Sequence, residues 1–482
     1  MAQKEDVLVF DLDGTLIRND LTHELLVLCA RWKPHLLPIA LFKFLISKPE
    51  AKRYLAEKLH LHYDAASLPY DPDVIALMEA HKAKGVPVEI VSGSDHILVQ
   101  KVADHLEVDF FKGSEPGNNL TSTRKAAFLR ERHGDSFVYV GNSSADYAVW
   151  RAARKGYGVN APSRSYKLKQ DDGRDVQVER LVDRRGRLKP LLKAMRLHQW
   201  AKNVLIFIVP GLVLPTLDTT DFIKLVLAFF CFSLLASATY MLNDLFDMPD
   251  DRAHHSKHAR PLASGALSVP LAGLFMAVVI PSTIAVSFLI STAFGTTTLV
   301  YGLMTCAYSF RLKRLPVLDV FILAGLFMIR VIAGANVVGA PPTGWLLTFI
   351  GLFFLSLAIG KRYVEVVRTR DKGSVSGRGY VASDEIPLLA MGTAAGFSSV
   401  ISLLIYGLLS QSQIFHSEIT ILLGSAILAA WVLRFWMIAG RGELHDDPVI
   451  FAVKDKVSLL SLGLIGLIMG LDITRPAWSS LF

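Results

Sequence analysis

The stretch 240–265, "YMLNDLFDMPDDRAHHSKHARPLASG", decides how this chain is expected to fold. It holds four carboxylates close together, at Asp244, Asp247, Asp250 and Asp251. The stretches on either side, "LVLAFFCFSLLASAT" and "PLAGLFMAVVIPSTIAVSFLI", are apolar enough to lie in lipid. Charges are costly inside a bilayer, so a dense acidic group at the mouth of a membrane segment predicts a functional site.

The composition divides the chain into a polar head and an apolar body. A hydrophobic content of 52% and a mean hydropathy of +0.39 over 482 residues exceed what a soluble protein of this size shows. The apolar residues concentrate in 201–482, while 1–200 resembles a soluble α/β protein. The net charge of +8 fits loop lysines and arginines that set membrane topology, or binding of anionic lipid and phosphate. No segment resembles a nucleic-acid-binding module, so no nucleic-acid partner is expected.

Hydropathy predicts nine membrane-spanning helices, each about 17–25 residues long. Their expected bounds are 201–217, 221–243, 269–291, 294–310, 316–337, 344–361, 387–410, 417–439 and 456–474. The loops after the odd-numbered helices contain no Lys or Arg, while every loop after an even-numbered helix is basic. Because basic loops stay on the cytoplasmic side, these loops are predicted to face the cytosol. The amino terminus has no signal-peptide pattern, so the head should share that side, with the carboxyl terminus opposite.

The head alternates buried strands with helices. Strands are predicted in 7–16, 86–94 and 137–146, with helices between them, which indicates a parallel sheet with polar groups at the strands' carboxyl ends. The charged stretch 163–190 is a linker, or a strand followed by a surface helix. The apolar stretch 32–49 is too short and too proline-rich for a span. It is either a buried helix of the head's cap or a membrane-docking amphipathic segment.

Asp244, Asp247 and Asp251 are spaced so that a helix would present all three on one narrow face. Carboxylates this close repel each other unless a cation lies among them, and oxygen ligands of this kind suit Mg²⁺. Pro249 could end the helix after Met248, in which case Asp251 would reach the site from a loop.

Other predicted cytoplasmic loops supply basic and hydroxyl groups that could hold phosphates. The candidate substrate-binding residues are Lys202, Asn203, Asn243, Arg252, Lys257, Arg260, Tyr308, Lys313, Asp319, Arg330, Lys361, Arg362, Arg378 and Tyr380. Arg330 would lie inside the fifth span, where an unpaired charge is costly and usually functional. Together these residues predict a metal–diphosphate site that opens into lipid.

"NDLFDMPDD" matches the first acidic motif, NDxxDxxxD, of the UbiA-type membrane prenyltransferases, and the resemblance covers about 190–482. "LHQWAKNVLIFIVP", "DDRAHHSKHARPLASG" and "GKRYVEV" resemble the decaprenyl-phosphate phosphoribosyltransferase branch more closely. The second acidic motif of aromatic prenyltransferases, DxxxD, is incomplete, because Leu323 stands four residues after Asp319. The resemblance implies a nine-helix all-α membrane domain that transfers 5-phosphoribose from phosphoribosyl pyrophosphate to a polyprenyl phosphate. Asp244, Asp247 and Asp251 would hold Mg²⁺ against the departing diphosphate.

"DLDGT" after the first strand resembles motif one of the haloacid-dehalogenase phosphatases, over about 1–162. The family implies a Rossmann-like α/β domain in which Asp11 is the nucleophile and Asp13 the general acid and base. Ser92 would bind a phosphoryl oxygen and Lys125 would neutralise charge. Mg²⁺ would be held by Asp11, Asp13, Asn142 and Asp146. Asn142 stands where this family usually has a carboxylate, and its amide oxygen can still coordinate Mg²⁺, but with less charge. An active phosphatase is expected in preference to a degenerate scaffold.

The two resemblances predict consecutive steps in one membrane enzyme. The expected domains are a phosphatase at 1–162 with a helical cap at about 18–85, a linker at 163–190 and the transferase at 191–482. The head would remove the 5-phosphate to leave polyprenylphosphoryl ribose for cell-envelope glycans. Two other functions stay open: a prenyltransferase with a polyprenyl diphosphate donor and an aromatic or glycerol acceptor, and a non-enzymatic transporter or scaffold. The expected location is the bacterial plasma membrane, and the sequence leaves open whether the chain forms a homo-oligomer.

Overall fold

The computed structural model describes residues 6–169, 175–184, 186, 188–254, 256–369, 378–409, 415–444 and 448–474. The chain forms two compact units. Unit 1 consists of Met1–Met195 together with Tyr240–Met276, and unit 2 of Arg196–Thr239 together with Ala277–Phe482. The acidic stretch at the end of the second predicted span therefore packs with the head. The domain boundaries expected from the sequence stay a prediction.

Unit 1 is built on a six-stranded, entirely parallel sheet in the order β3-β2-β1-β4-β5-β6. Its strands are β1 (Val7–Phe10), β2 (Val88–Asp95), β3 (Phe110–Ser114), β4 (Phe137–Gly141), β5 (Lys155–Val159) and β6 (Val178–Val182). The helices of its Met1–Met195 part are α1 (Leu21–Trp32), α2 (Leu37–Ile46), α3 (Lys48–Leu59), α4 (Pro72–Lys82), α5 (His96–Leu106), α6 (Ser122–His133), α7 (Tyr147–Ala152) and α8 (Leu188–Ala194). The predicted α/β class of the head is confirmed.

The order of the strands places the functional loops side by side. β1 pairs with β2 on one side and with β4 on the other, and all three run in the same direction. The strand order reverses at β1, and ligands bind in such sheets beyond the carboxyl ends of the strands at this point. The loop that follows β1 and the loop that follows β4 therefore meet there.

The structure resolves both alternatives that the head's sequence left open. The stretch 163–190 contains β6 and the start of α8, which corresponds to a strand followed by a helix. The stretch 32–49 forms α2, of which only Ala40 is buried. A buried cap helix was therefore the wrong alternative, because most of the apolar side chains of α2 face outward.

The helices of the membrane part are α9 (Ile208–Leu212), α10 (Thr219–Phe246), α11 (Met248–Ala253), α12 (Val269–Ile290), α13 (Thr292–Phe310), α14 (Leu318–Val338), α15 (Gly344–Arg368), α16 (Glu385–Leu409), α17 (Glu418–Gly440), α18 (Pro448–Lys454) and α19 (Lys456–Ile473). Among the described residues, seven helical segments are long and apolar enough to cross a membrane. They are Thr219–Phe246, Val269–Ile290, Leu318–Val338, Gly344–Arg368, Ala382–Leu409, Glu418–Gly440 and Lys456–Ile473.

Two of the nine predicted spans are not among these seven segments. The first, 201–217, consists of a 3₁₀ stretch, Leu197–Phe207, and the short helix α9. Pro210 and Gly211 interrupt its apolar run, and both residues disfavour a long helix. The other, 294–310, is the helix α13, whose five threonines lower its hydropathy. The predicted count of nine spans is not confirmed.

The break between α10 and α11 sets the geometry of the acidic stretch. α10 ends at Phe246, Asp247 takes a non-helical conformation, and α11 begins at Met248. Pro249 lies in the first turn of α11, where its missing N–H costs nothing. Asp251 therefore projects from a helix and does not reach the site from a loop.

Candidate functional site

A buried ionic group lies in the head between the ends of β1 and β4. The Lys125 Nζ atom lies 2.9 Å from Asp11 Oδ1 and 3.8 Å from Asp146 Oδ1. It also donates a hydrogen bond of 2.9 Å to the Tyr139 hydroxyl, which donates in turn to Asp146 Oδ1 at 2.8 Å. We call Asp11, Lys125, Tyr139 and Asp146 the phosphatase cluster. Burial raises the pKa of Asp11, and the charge of Lys125 opposes this rise.

Asp13 is held by different partners. Its Oδ1 accepts a hydrogen bond of 2.8 Å from the backbone N–H of Leu21, and its Oδ2 accepts one of 2.5 Å from the Ser94 hydroxyl. Burial, together with the nearby Asp20 carboxylate, raises the pKa of Asp13 to about 7. A carboxyl group with this pKa can release and take up a proton near neutral pH, as general acid–base chemistry requires. Ser92, fully buried in β2, accepts from the backbone N–H of Ser94 at 3.1 Å.

The loop after β4 carries Asn142 next to the loop after β1. A Cβ atom on Gly14 would lie 2.1 Å from the Asn142 side-chain nitrogen, so a larger residue at position 14 would force the Asn142 side chain to move. Gly14 also has a positive φ of +69°, which glycine adopts without strain. Asp146 Oδ2 accepts from the backbone N–H groups of Asn142 and Ser143, at 3.0 and 2.9 Å. Asp146 thus fixes the loop that presents Asn142.

The acidic stretch of unit 1 forms a second ionic group around one arginine. Arg260 Nη1 lies 3.1 Å from Asp244 Oδ1 and 2.6 Å from Asp251 Oδ2. The Asn243 side chain donates a hydrogen bond of 2.9 Å to Asp247 Oδ2. We call Asn243, Asp244, Asp247, Asp251 and Arg260 the acidic-motif cluster. Burial raises the pKa of Asp251, and the charge of Arg260 opposes that rise. A cation is therefore favoured between Asp244 and Asp251.

Arg252 and Lys257, both predicted to bind substrate, lie beside this cluster. Arg252 donates two hydrogen bonds to Glu24, at 2.6 and 3.0 Å, and one of 2.9 Å to the Ala263 carbonyl oxygen. Its side chain is only 7% exposed, so its guanidinium group mainly binds groups of the protein itself. Lys257 begins a short 3₁₀ helix, Lys257–Ala259, that leads into Arg260.

Unit 2 brings five of the predicted substrate-binding residues into one group, which we call the Asp319 cluster: Tyr308, Asp319, Arg362, Arg378 and Tyr380. Asp319 Oδ2 accepts a bond of 2.5 Å from Arg362 Nε, and Asp319 Oδ1 accepts one of 2.6 Å from the Tyr380 hydroxyl. The Tyr308 hydroxyl accepts from Arg362 at 2.8 Å and from Arg378 at 3.0 Å. The Asp319 carboxylate is fully buried, so this cluster is a fixed part of the helical bundle.

The other predicted residues of unit 2 lie elsewhere in the bundle. Arg330 is buried and donates to Asn203 Oδ1 at 2.8 Å, to the Tyr301 hydroxyl at 3.2 Å and to the Leu326 carbonyl oxygen. Its charge is therefore satisfied within the bundle. Lys202 Nζ lies 5.7 Å from the centre of the Phe327 ring. Lys361 lies in α15. The backbone carbonyl oxygen of Lys313 accepts a hydrogen bond of 3.1 Å from Arg378.

Sequence reasoning missed three residues that complete these groups. Tyr139 links Lys125 to Asp146, Ser94 bonds to Asp13, and Glu24 pairs with Arg252. None of the three belongs to a motif that the sequence displays. Tyr139 alternates with apolar residues in β4 and Glu24 lies in an ordinary amphipathic helix, so no local signal separated them from core and surface positions.

The phosphatase site and the acidic-motif cluster both offer the kind of donor that Mg²⁺ prefers, namely carboxylate and amide oxygens. In the acidic-motif cluster, the guanidinium group of Arg260 occupies the place of a cation between two carboxylates. Within the described part of the chain, no group of three or more His, Cys, Asp or Glu side chains is arranged to hold a metal ion. The residue types fit Mg²⁺, and its binding would require Arg260 to move away from at least one carboxylate.

Comparison with known proteins agrees with the two-part organisation. The model of the UbiA prenyltransferase family matches residues 204–459, and that of the haloacid dehalogenase-like hydrolases matches residues 8–151. The uncharacterized protein y4nM of Sinorhizobium fredii is 34% identical over 94% of this chain and 88% of its own length. A decaprenyl-phosphate phosphoribosyltransferase of Mycobacterium tuberculosis is 29% identical over 57% of this chain and 91% of its own length.

Among solved structures, a UbiA homolog from Archaeoglobus fulgidus bound to GPP and Mg²⁺ resembles this chain with a TM-score of 0.46 and 20% identity, over 59% of this chain and 97% of that one. The UbiA family match covers more than half of the sequence and includes the whole acidic-motif cluster and the whole Asp319 cluster. The seven apolar helical segments are those of an integral membrane protein. The chain therefore belongs to the UbiA prenyltransferase family and carries a haloacid dehalogenase-like region at its amino terminus.

Proposed function

We propose that this protein is a bifunctional membrane enzyme that makes a lipid-linked pentose. One site transfers 5-phosphoribose from phosphoribosyl pyrophosphate to a polyprenyl phosphate, and the head then removes the 5-phosphate to give polyprenylphosphoryl ribose. The proposal includes a plasma-membrane location with both sites on the cytosolic side.

One observation carries this proposal: the acidic-motif cluster and the phosphatase cluster belong to the same compact unit. The buried pair Glu24–Arg252 joins the helix that follows the phosphatase loop to the segment that carries Asp251. Arg31 adds a second connection, through bonds to the Phe246 carbonyl oxygen at 3.0 Å and to Asp250 at 2.8 Å. Such close association favours two reactions on successive forms of one substrate.

In the transfer step, the bond between C1 of the ribose and the diphosphate oxygen breaks, and a phosphate oxygen of the lipid forms the new bond to C1. The acceptor oxygen is already anionic, so this step needs no general base. Asp244, Asp247 and Asp251 are the residues that would hold Mg²⁺, which supplies positive charge to the departing diphosphate. Arg260, released from its carboxylates, would bind a phosphate oxygen.

In the hydrolysis step, Asp11 attacks phosphorus and the bond to the sugar's 5-oxygen breaks. Both hydrogen bonds that Asp11 accepts in the described structure end on Oδ1, which leaves Oδ2 as the attacking atom. Asp13 gives its proton to the departing sugar oxygen and later accepts one from the water that releases phosphate. Lys125 supplies positive charge beside the phosphoryl group. Asn142 and Asp146 complete the residues that would hold Mg²⁺ in this site.

Similarity to decaprenyl-phosphate phosphoribosyltransferases supports the choice of donor and acceptor. The experiment that tests both steps uses purified protein in lipid with labelled phosphoribosyl pyrophosphate and a polyprenyl phosphate. Wild-type protein should release diphosphate and yield the dephosphorylated lipid, while Asp11→Asn protein should accumulate the phosphorylated lipid. Asp244→Asn protein should form neither lipid product.

The same assay separates the other two functions. A prenyltransferase would release diphosphate only when a polyprenyl diphosphate and an aromatic or glycerol acceptor replace these substrates. A transporter or scaffold would release none with either pair. Unchanged lipid product from Asp11→Asn protein would refute the assignment of the second step to the head.

A further inference from the structure

A cavity of about 430 Å³ lies in unit 1 between the head and the loop that follows α11. Residues of the head line one side, among them Gly14, Arg18 and Asp71. The opposite wall belongs to the loop and includes Pro261 and Gly265. The volume falls within the range of about 300–1,000 Å³ that is usual for small-molecule sites.

The lining of this cavity is positively charged. The lining includes four cationic side chains, Arg18, Arg184, Lys189 and Lys193, and one buried carboxylate, Asp71. Arg18 lies 3.0 Å and Arg184 lies 2.8 Å from Asp71 Oδ2. The carboxylate therefore holds both guanidinium groups at the cavity wall, and Arg184 pairs with Asp73 as well. An excess of fixed positive charge favours an anionic ligand, and phosphate esters suit arginine best.

The cavity lies next to the phosphatase site, and its lining includes the two chain neighbours of Arg260. Gly14 and Arg18 also line a neighbouring cavity of about 190 Å³, whose other wall residues include Asp13 and Asn142 of the phosphatase site. The lining residues Ala259 and Pro261 stand directly before and after Arg260 in the chain. Arg260 binds Asp244 and Asp251, as described above.

Two contacts join the loop wall to the rest of unit 1. Lys193 donates a hydrogen bond of 3.3 Å to the Ala259 carbonyl oxygen. Gly265 has a φ of +69°, and a Cβ atom there would lie 2.6 Å from Arg18 Cβ. Only glycine permits this contact, so the loop and the head meet without space for a larger residue.

We infer that this cavity binds the phosphorylated sugar of the lipid-linked product and holds its phosphomonoester as it passes from the acidic-motif cluster to Asp11. The inference rests on the proposed function and adds a defined route between its two steps. The ligand is a sugar phosphate whose dianion contacts Arg18 and Arg184, with the lysines of α8 beside it. A free sugar phosphate shares this chemistry, so the test includes both sources.

The test measures how fast a cysteine at the cavity wall reacts with a maleimide. Lys189→Cys is introduced into the Asp11→Asn protein, which should accumulate the phosphorylated lipid. Lys84→Cys, on the exposed turn after α4, is the matched control, and the chain's own cysteines give the background. Supplying donor and acceptor should slow modification of Lys189→Cys about tenfold and leave Lys84→Cys unchanged. Ribose 5-phosphate alone should protect much less.

Each outcome decides the inference. Accumulation of the lipid product without protection of Lys189→Cys would overturn it. If no lipid product forms, the proposed function has failed, and the ribose 5-phosphate samples then judge the cavity separately. Protection by ribose 5-phosphate would assign the cavity to free sugar phosphates and reject the lipid-linked ligand. Absence of protection in every sample would reject a phosphate site altogether.

An independent observation concerns the helix α2. Its large apolar side chains point outward, with exposed fractions of 55% for Leu41, 62% for Phe42, 85% for Leu45 and 68% for Ile46. The helix has ten residues, about half the length that a span requires. Residues 25–49 contain four lysine or arginine residues, one histidine and no acidic residue. An apolar face with a basic surround suits the interface of an anionic bilayer.

The geometry points to α2 as an interfacial helix that inserts its apolar face among anionic lipids. The occupant is lipid and not a partner protein, because the stretch 25–49 carries only basic charges and the chain already resides in a membrane. The test of this lipid contact uses two variants, Phe42→Cys and Lys84→Cys. Each is labelled at the new cysteine with an environment-sensitive dye and placed in nanodiscs that contain anionic lipid.

Nitroxide groups on the lipid should quench the dye at residue 42 at least about threefold more strongly than the dye at residue 84, and the difference should shrink in neutral lipid. Equal quenching at both positions would reject the lipid contact. Cross-linking between two Phe42→Cys chains without quenching would assign the face to a second copy of the protein and would equally overturn the inference.

Discussion

The buried pair Glu24–Arg252 should be essential for the stability of unit 1. Glu24 accepts two hydrogen bonds from Arg252 and one of 2.8 Å from the Asn19 side chain. The side chains of the pair are only 4% and 7% exposed. In a Glu24→Gln variant, the charge of Arg252 would stay buried without a counter-charge. The pair joins α1 to the segment that carries the acidic motif, so its loss should loosen the contact between them.

Removing one partner of a buried ion pair costs about 3–5 kcal/mol. For a folded unit of 150–250 residues, each kcal/mol lowers the midpoint of thermal unfolding by about 2–4 °C. The Glu24→Gln variant should therefore unfold about 6–20 °C earlier than wild-type protein. Replacing both charges, as in Glu24→Leu with Arg252→Met, should restore most of this loss, because neither charge is then left unpaired.

The measurement is the first unfolding transition of purified protein in detergent, followed by intrinsic fluorescence. Glu79→Gln is the control, because Glu79 pairs with Lys82 at 3.3 Å on the surface and is 59% exposed. Such a surface pair contributes less than about 1 kcal/mol. The reasoning is refuted if Glu24→Gln lowers the midpoint no more than Glu79→Gln, or if the double variant is as unstable as the single one.

Three further predictions concern the phosphatase site. Asn142→Asp adds a carboxylate to the residues that would hold Mg²⁺, so the Mg²⁺ concentration for half-maximal phosphomonoester hydrolysis should fall several-fold; a higher requirement in a titration would contradict this. Tyr139→Phe removes a hydrogen-bond partner of the buried Lys125 and should lower kcat about tenfold with little change in KM, in steady-state assays; a change in KM alone would argue against it. Because burial raises the pKa of Asp13 to about 7, the protonated acid is lost as the pH rises through that value, and kcat/KM should fall about tenfold per pH unit above it. Ser94→Ala removes a hydrogen-bond donor to the ionised form of Asp13, so this descending limb should move to higher pH. A rate that is independent of pH up to about 9 would count against the role of Asp13.

Much of the site could be predicted because its residues stand in short local motifs. The spacing of Asp244, Asp247 and Asp251 was visible in the sequence, as was the position of Asp11 after a buried strand. Periodic apolar residues also gave the strands and helices of the head. The strands β3 and β5 escaped notice because each is five residues long and partly polar.

The number of spans was harder to predict than their existence. An apolar stretch predicts burial or insertion, but whether it forms one long helix depends on the residues that interrupt it. Pro210 and Gly211 break the first predicted span, and the threonines of α13 reduce the hydropathy of another. Hydropathy windows average over such residues and therefore counted both segments as spans.

The sequence by itself determined which chemical groups the protein carries and the short-range order in which they appear, because motifs and periodicity depend on neighbours along the chain. Only the tertiary structure decided which groups meet. Arg252 pairs with Glu24, 228 residues away, and Tyr380 bonds to Asp319 across 61 residues. Such contacts depend on how helices and strands pack, and packing is set by the summed burial of many side chains. No local pattern records that sum, so the partners of a buried charge become known only when the chain is folded.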